Sequence, residues 1–486
     1  MPHRPEGVVR PLDDAASLDT AVAELAARFR SALEPPERVG AAVDAPSLRA
    51  RLDEPLPERG LPLDEVLPAL AEQVAPGLVG TTAGGYLGYV TGGVLPAAAI
   101  AQAWAVAVDQ NAGLWALSPA ATELEQLTLR WLADLLDLPH PSATFTSGAA
   151  GANLVSLAVA RHWVGARDGV DVNRDGVGGL RDLVVYGSTE LHFTDVKALR
   201  TLGLGDGCLR PVPVDAGFRM DVAELRAAVA ADLAAGRRPG IVIASSGSPN
   251  TGAADDLNAL ADVCAEHGLW LHVDAAFGAF FRLCEATAPL VAGLERADSV
   301  TVDGHKWLNL PNGIGFAFLR DERLHHETFA GTAAYLTRAP GSGDDLHEYG
   351  VEASRPWRGA ATWAALKSLG REGVAELVGR SCAVAQELGS LVDASPRLEL
   401  TAPVVSCVTC FRYRPPGWEE GDRLDDLNRA IQQRLAHDER VVATGGMLPS
   451  GFSLRPAIVN WRTSSADVAA LVEETLRAGD ELAAQA

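Results

Sequence analysis

Lys306, Asp274 and His192 have the side-chain types and settings that could do chemistry. Lys306 lies in VDGHKWLNLPN (residues 302–312), between a histidine and a tryptophan. The chain has 41 basic residues, and only Lys197, Lys306 and Lys367 among them are lysines. An amine condenses with an aldehyde, which a permanently protonated guanidinium does not do. Asp274 ends the apolar run LWLHVDA. A carboxylate placed there needs a cationic or N–H partner, since burying it alone is costly. His192 follows DLVVYG, within STELHFTD. A fourth stretch, TFTSGAAGAN (144–153), runs through small residues into an expected helix. It offers backbone N–H groups and a helix N-terminus to an anionic phosphate. It contains no G-x-G-x-x-G, which argues against a dinucleotide fingerprint.

These residues need elements to position them. From about residue 143, short apolar runs alternate with helical stretches: ATFTS, DLVVYG, CLRPVPV, IVIASS, LWLHVDA, SVTVD and IGFAFL. Such alternation predicts βα units and a mostly parallel sheet, with ligands at the carboxyl ends of its strands. The four features all fall at those ends. Residues 1 to about 80 read as helical, with amphipathic runs Asp19–Leu33 and Leu63–Val74, and suit wrapping another domain or a partner subunit. A long helix is expected from Arg358 through Val392, followed by a smaller α/β region ending in DVAALVEETLRAGDELA. The expected divisions are 1–94, 95–360 and 361–486.

Composition narrows the function classes. The 486 residues are 48% hydrophobic and 21% charged, an ordinary soluble balance, with a formal charge of −22 that repels nucleic-acid phosphates. No apolar run reaches membrane-spanning length, and MPHRPEGVVRPLDD lacks the apolar core of a signal peptide, so a cytoplasmic location is expected. Six scattered cysteines do not form a disulfide scaffold. Cys407 and Cys410 form a lone CxxC in VVSCVTCFRY, which reads as a β-strand; a zinc site needs a second ligand pair. DVNRDGVGGLRD (171–182) has the spacing of a calcium loop at Asp171, Asn173, Asp175, Gly176 and Asp182, but a strand follows and position twelve is Asp182, not glutamate. No metal is assigned.

A phosphate cradle, a flat ring, a carboxylate and a lysine amine are the parts that pyridoxal 5'-phosphate requires. The sequence resembles the group II pyridoxal-phosphate amino-acid decarboxylases, relatives of the aromatic-L-amino-acid and glutamate decarboxylases. HVDAAFG followed by DGHKWLN carries the resemblance most specifically. GYLGYVTGG, LWALSPAATELEQLTLRWLADLL, ELHFTDVKALRTLGLG and SRPWRGAATWAALKSLG extend it over nearly the whole chain.

The resemblance implies a fold type I enzyme: a mostly parallel seven-stranded sheet flanked by helices, an N-terminal helical segment and a small C-terminal α/β domain. It implies a homodimer with the site at the interface. It also implies roles for individual residues. Lys306 forms the Schiff base, His192 stacks on the pyridine ring, Asp274 keeps the ring nitrogen protonated and Ala276 packs near the ring. Ala149 and Ala150 hold the phosphate, helped by Asp303 and His305. Thr91 contacts the substrate carboxylate, and Tyr89 borders the substrate. Tyr335 is the tyrosine of a mobile loop from Thr332 to about Leu346 and protonates Cα. Two positions depart from the family pattern: Ala150-Gly151 replaces a hydroxyl residue with glutamate, and Pro249 replaces a threonine. The expected reaction is α-decarboxylation of an L-amino acid to the amine and CO2. Tyr86, Tyr89 and Trp115 favour an aromatic substrate. The alternatives are a glutamate or diaminobutyrate decarboxylase, an aldehyde synthase and an aminotransferase; Arg455, where related folds bind a carboxylate, does not separate them.

Overall fold

The computed structural model describes residues 15–58, 60–331 and 343–485. Its main sheet has seven strands: β1 (Ser142–Thr146), β2 (Leu183–Ser188), β3 (Leu209–Val212), β4 (Arg238–Ser245), β5 (Trp270–Asp274), β6 (Ser299–Asp303) and β7 (Gly315–Leu319). Their spatial order is β1-β7-β6-β5-β4-β2-β3. The pairs β2–β3, β2–β4, β4–β5 and β5–β6 are parallel, whereas β7 runs antiparallel to both β1 and β6. Parallel neighbours need a long crossover, and helices provide one after each of the first four strands: Ala149–Arg167, Phe193–Thr201, Val222–Ala234 and Leu257–His267. Between β6 and β7 lies only the helix-free turn 304–314, so the chain returns antiparallel. That turn carries Lys306.

Helices cover both faces of the sheet, and its central strands are correspondingly apolar and buried, with only Arg238 at the start of β4 exposed. A second, antiparallel sheet has the order β10-β11-β9-β8. Its strands are β8 (Leu398–Leu400), β9 (Phe411–Tyr413), β10 (Gly445–Leu448) and β11 (Gly451–Leu454). It packs with the helices Asp422–Leu435 and Ser465–Ala483 around Phe411, Ile431, Leu454 and Leu471. The seven-stranded sheet and the small C-terminal α/β region are both as expected.

Two local expectations need correction. The run VVSCVTCFRY is a strand only at Phe411–Tyr413. Cys407 and Cys410 precede that strand as free, buried thiols, and burial pushes both up to about 12. Here Val408 makes a single bridge to Ala457, and the ladder is not continued. The long helix Gly359–Asp393 is two helices across a kink at Gly370, whose φ of 64° suits a residue without a Cβ. Asp171 caps the short helix Val172–Asp175, accepting N–H bonds from Asn173 and Arg174. Among the described residues, no group of three or more His, Cys, Asp or Glu is placed to hold a metal ion.

Of the N-terminal helices Ala15–Leu33, Ala45–Leu52 and Leu63–Val74, the first and the third fall where the amphipathic runs predict them. The last two bury no residue, and Leu18, Val22, Leu25, Val66 and Leu70 stay exposed. The chain then laces onto the C-terminal region, with Val39 N–H bonding to Glu439 O and Leu87 N–H to Val442 O. No described helix is long and apolar enough to cross a membrane.

A buried ion pair fixes the start of the long helix. Glu125, on the helix Pro119–Leu136, meets Arg355 at 2.6 Å and accepts the N–H groups of Arg358 and Gly359. Both side chains are almost inaccessible, 0% for Glu125 and 3% for Arg355. Glu125→Ala strands a buried guanidinium and should cost about 3–5 kcal/mol, read as a lower urea midpoint.

Candidate active site

The carboxyl ends of β1, β2, β4, β5 and β6 converge on one cavity of about 530 Å³. Tyr89, Thr91, Ala149, Ala150, His192, Asp274, Ala276, Asp303, His305 and Lys306 all line it, so ten residues far apart in sequence come together. Tyr335 lies outside the described residues. Two of the expected bordering aromatics do not reach the cavity lining. Tyr86 is buried with Val39, Ala83 and Val442. The indole N–H of Trp115 bonds to Glu123 on the neighbouring helix. Phe193, Pro249, Asn250, Phe277 and Arg455 join the lining instead.

Asp274 is the last residue of β5 and is 8% exposed. The amide of Ala276 donates to its Oδ1 at 3.0 Å, and Asn153 Nδ2 donates to its Oδ2 at 2.9 Å. A chain of hydrogen bonds lies behind Asn153. Trp270 Nε1–H donates to Ser299 Oγ at 2.9 Å, and Ser299 Oγ lies 2.9 Å from His272 Nδ1. His272 Nε2 in turn lies 3.2 Å from Asn153 Oδ1. His272 is fully buried, and burial pushes it down to about 4, so it is neutral at pH 7. Asn153 Nδ2 is committed to Asp274, so its oxygen must accept, and the His272 proton sits on Nε2. Every donor in the chain therefore points towards Asp274. The strand period of two puts Trp270, His272 and Asp274 on the same face of β5, against the helix that carries Asn153.

His192 caps the helix Phe193–Thr201, with Nδ1 accepting the Thr194 N–H at 3.3 Å and lying 2.6 Å from Thr194 Oγ1. That bond assigns the ring proton to Nε2. Burial, assisted by Lys306 and Arg455, lowers its pKa against the pull of Asp274, favouring a neutral ring. Lys306 Nζ lies 5.4 Å from the centre of the Phe277 ring. Asn309, in the left-handed region at φ 48°, bonds through Nδ2 to the carbonyls of Lys306, Trp307 and Val459 and pins the turn. Gly92 donates its N–H to His305 O, and a Cβ there would lie 2.4 Å from Lys306 O, so only glycine lets the Thr91 segment close on the lysine.

The helix Ala149–Arg167 points its N-terminus at the cavity, and no side chain caps it, Gly148 holding the cap position at φ 122°. Asp303 Oδ2 takes the Ala149 N–H at 3.1 Å, and Oδ1 lies 2.6 Å from His305 Nδ1. Burial alone would raise Asp303, but His305, Lys306 and the Ala149 amide outweigh it and hold the carboxyl below its ordinary range. A helix N-terminus for a phosphate, a neutral imidazole, a buried carboxylate and an amine thus share one cavity. This donor set fits pyridoxal phosphate.

A model of the pyridoxal-dependent decarboxylase conserved domain matches residues 46–414. The chain belongs to that family. Over 434 residues it is 26% identical to the aromatic-L-amino-acid decarboxylase of Bacillus atrophaeus, covering 88% of each chain. It is 31% identical over 364 residues to tryptophan decarboxylase 1 of Oryza sativa subsp. japonica, covering 71% of this chain and 70% of that one. The crystal structure of Oryza sativa TDC with PLP and tryptamine superposes with a TM-score of 0.87 at 27% identity, covering 99% of this chain and 100% of that one.

The residues that the sequence reading missed in this decarboxylase are Asn153, His272 and Ser299. Asn153 was detectable as a polar residue one helical turn after Ala149 in an otherwise small and apolar stretch. His272 was detectable as a second polar side chain on the Asp274 face of β5. Asn153→Ala removes a hydrogen bond to a buried charge and should destabilise the apoprotein by about 1.5–3 kcal/mol in urea denaturation.

Proposed function

We propose that this pyridoxal-phosphate-dependent decarboxylase acts on an aromatic L-amino acid, releasing CO2 and the corresponding arylalkyl amine. One observation carries the proposal: Lys306, Asp274 and His192 face a single cavity whose remaining lining includes Tyr89, Val90, Phe193 and Phe277. The relatives named above, an aromatic-L-amino-acid decarboxylase and a tryptophan decarboxylase, support the substrate class.

Lys306 would supply the amine that holds the cofactor aldehyde in the cavity. Asp274 receives the proton-bearing ring nitrogen, its charge held in place by Asn153 and Ala276. Bound there, pyridoxal phosphate supplies an electron sink for the pair left by departing CO2. His192 would cover one face of the ring, and the small side chain of Ala276 would leave room on the other. The Ala150 amide and the helix N-terminus at Ala149 would hold the phosphate, while Asp303, which takes the Ala149 N–H, and His305 brace that turn. Thr91 and Tyr89 face the substrate, with Arg455 held beside them by Nη1 bonding to Tyr89 O at 2.9 Å. Tyr335 returns a proton to Cα.

The proposal includes a homodimer in which a second copy covers the exposed apolar faces of the N-terminal helices and of the helix Pro96–Ala107, where Ile100 and Trp104 are open. In that arrangement residues 1–94 are the wrapping arm, 95–360 the cofactor domain and 361–486 the small domain.

An amino-acid panel tests the reaction and the substrate together. Tryptophan, tyrosine or phenylalanine should give the highest kcat/KM, with amine and CO2 in equal amounts. Best turnover of glutamate or diaminobutyrate would overturn the substrate class. Keto acid, or aldehyde with peroxide, in place of amine would overturn the reaction. Lys306→Ala should abolish turnover. Asp274→Ala should lower kcat by at least about 100-fold, the scale of removing a preorganised electrostatic partner.

A further inference from the structure

Beneath the cavity, the first turn of the helix Phe193–Thr201 carries a second carboxyl group. Asp195 is fully buried, and neither of its oxygens meets an N–H or O–H donor. The side chain it reaches is Asp274, at hydrogen-bonding range. Two carboxylates offer only acceptors, so the contact requires a proton on one of them. Asp274 already receives two N–H groups, from Asn153 and Ala276, which favour its charged form. Asp195 has no comparable support. The charges acting on it are Asp274 on β5 and Lys306 in the β6–β7 turn, and its own backbone amide is already committed to His192 O. The proton therefore belongs to Asp195.

We propose that Asp195 is a neutral carboxylic acid that donates a hydrogen bond to Asp274, a positioning residue that holds the cofactor-binding carboxylate oriented and charged. Burial, followed by the Asp274 charge, raises Asp195 well above the usual carboxylate range, in agreement with this geometry. The pair then carries one negative charge, which one protonated ring nitrogen balances. Two buried charges would leave one uncompensated. This extends the cofactor assignment without depending on the substrate class.

Infrared spectroscopy of the apoprotein tests the proton directly. Wild type at neutral pH should show a protonated-carboxyl C=O band that is missing from Asp195→Asn. Stability against pH gives a second readout. An unfolded aspartate ionises above about 3.9. The folded protein keeps that proton, so wild-type stability falls as pH rises from about 4 towards neutrality, and Asp195→Asn should lack this part of the fall. Pyridoxal phosphate affinity, measured by equilibrium titration of the apoprotein, separates hydrogen bonding from packing. Asp195→Asn keeps a donor and should bind within about threefold of wild type, whereas Asp195→Leu should bind about tenfold or more weakly. An acid band that survives in Asp195→Asn, or a loss of affinity in Asp195→Asn equal to that in Asp195→Leu, would overturn the proposal.

Discussion

Asp274 carries its charge at a strand end that water scarcely reaches, and polar residues of β5, β6 and the helix Ala149–Arg167 are arranged around it. A buried carboxylate is tolerated when its lone pairs are filled by fixed donors, and costs several kcal/mol when they are not. Asn153 and Ala276 fill two of those positions. The chain Trp270–Ser299–His272 fixes which way Asn153 faces, because each member has a single consistent donor direction. Two adjacent strands of the sheet, β5 and β6, and one helix thus share a single polar path. Its low local dielectric strengthens each bond and makes each omission more costly. The polar residues of this path therefore serve one negative charge, which is the feature a cofactor with a protonatable ring nitrogen needs.

Topology supplies the partner for that charge. β5 and β6 are parallel neighbours, so Asp274 and Asp303 end at the same edge, and the turn after β6 begins where β5 stops. A helical crossover after β6 would carry the chain away from the edge. The helix-free return to β7 keeps Lys306 over the strand ends, and Asn309 and Gly92 hold the turn from below and from the side. The antiparallel β7 is thus the topological counterpart of an amine fixed beside the carboxylate.

Much of this was legible in the sequence, for identifiable reasons. Buried parallel strands are short apolar runs, so IVIASS, LWLHVDA and SVTVD declared themselves, and their ends located Asp274 and Lys306 without any contact information. The same rule misled at VVSCVTCFRY, which is equally apolar but buried by packing against Asn250 and the C-terminal region, without a strand partner along most of its length. Apolar character reports burial, and pairing is decided by neighbours that only the fold brings in. Tyr86 and Trp115 show the same limit: proximity in sequence to Tyr89 and to the helix Pro119–Leu136 says nothing about which way a ring turns. Asp195 was hidden for the opposite reason. An aspartate in the first turn of a helix normally serves the helix dipole in solvent, and only the α/β packing turns this one inward.

Electrostatics explains how an acidic chain can host an anionic ligand at all. With a formal charge of −22, the protein as a whole repels a phosphate and a substrate carboxylate. The cavity reverses that field locally. Lys306, Arg455 and His305 line it, and the uncapped N-terminus of the helix Ala149–Arg167 adds its partial positive charge. Ala150 and Gly151 bring no hydroxyl to this turn, so in the proposed role the backbone must do more. The structure prepares it for that role: Asp303 takes only the first amide, Ala149, and Ala150 lines the cavity beside it. The Asp303 carboxylate is in turn bonded to the His305 ring and offset by Lys306, and does not face the phosphate position unopposed. The phosphate end therefore depends on main-chain geometry, whereas the ring end depends on side-chain charge. Substitutions should accordingly be tolerated better around Ala149 than around Asp274, provided that they leave the backbone of the turn unchanged.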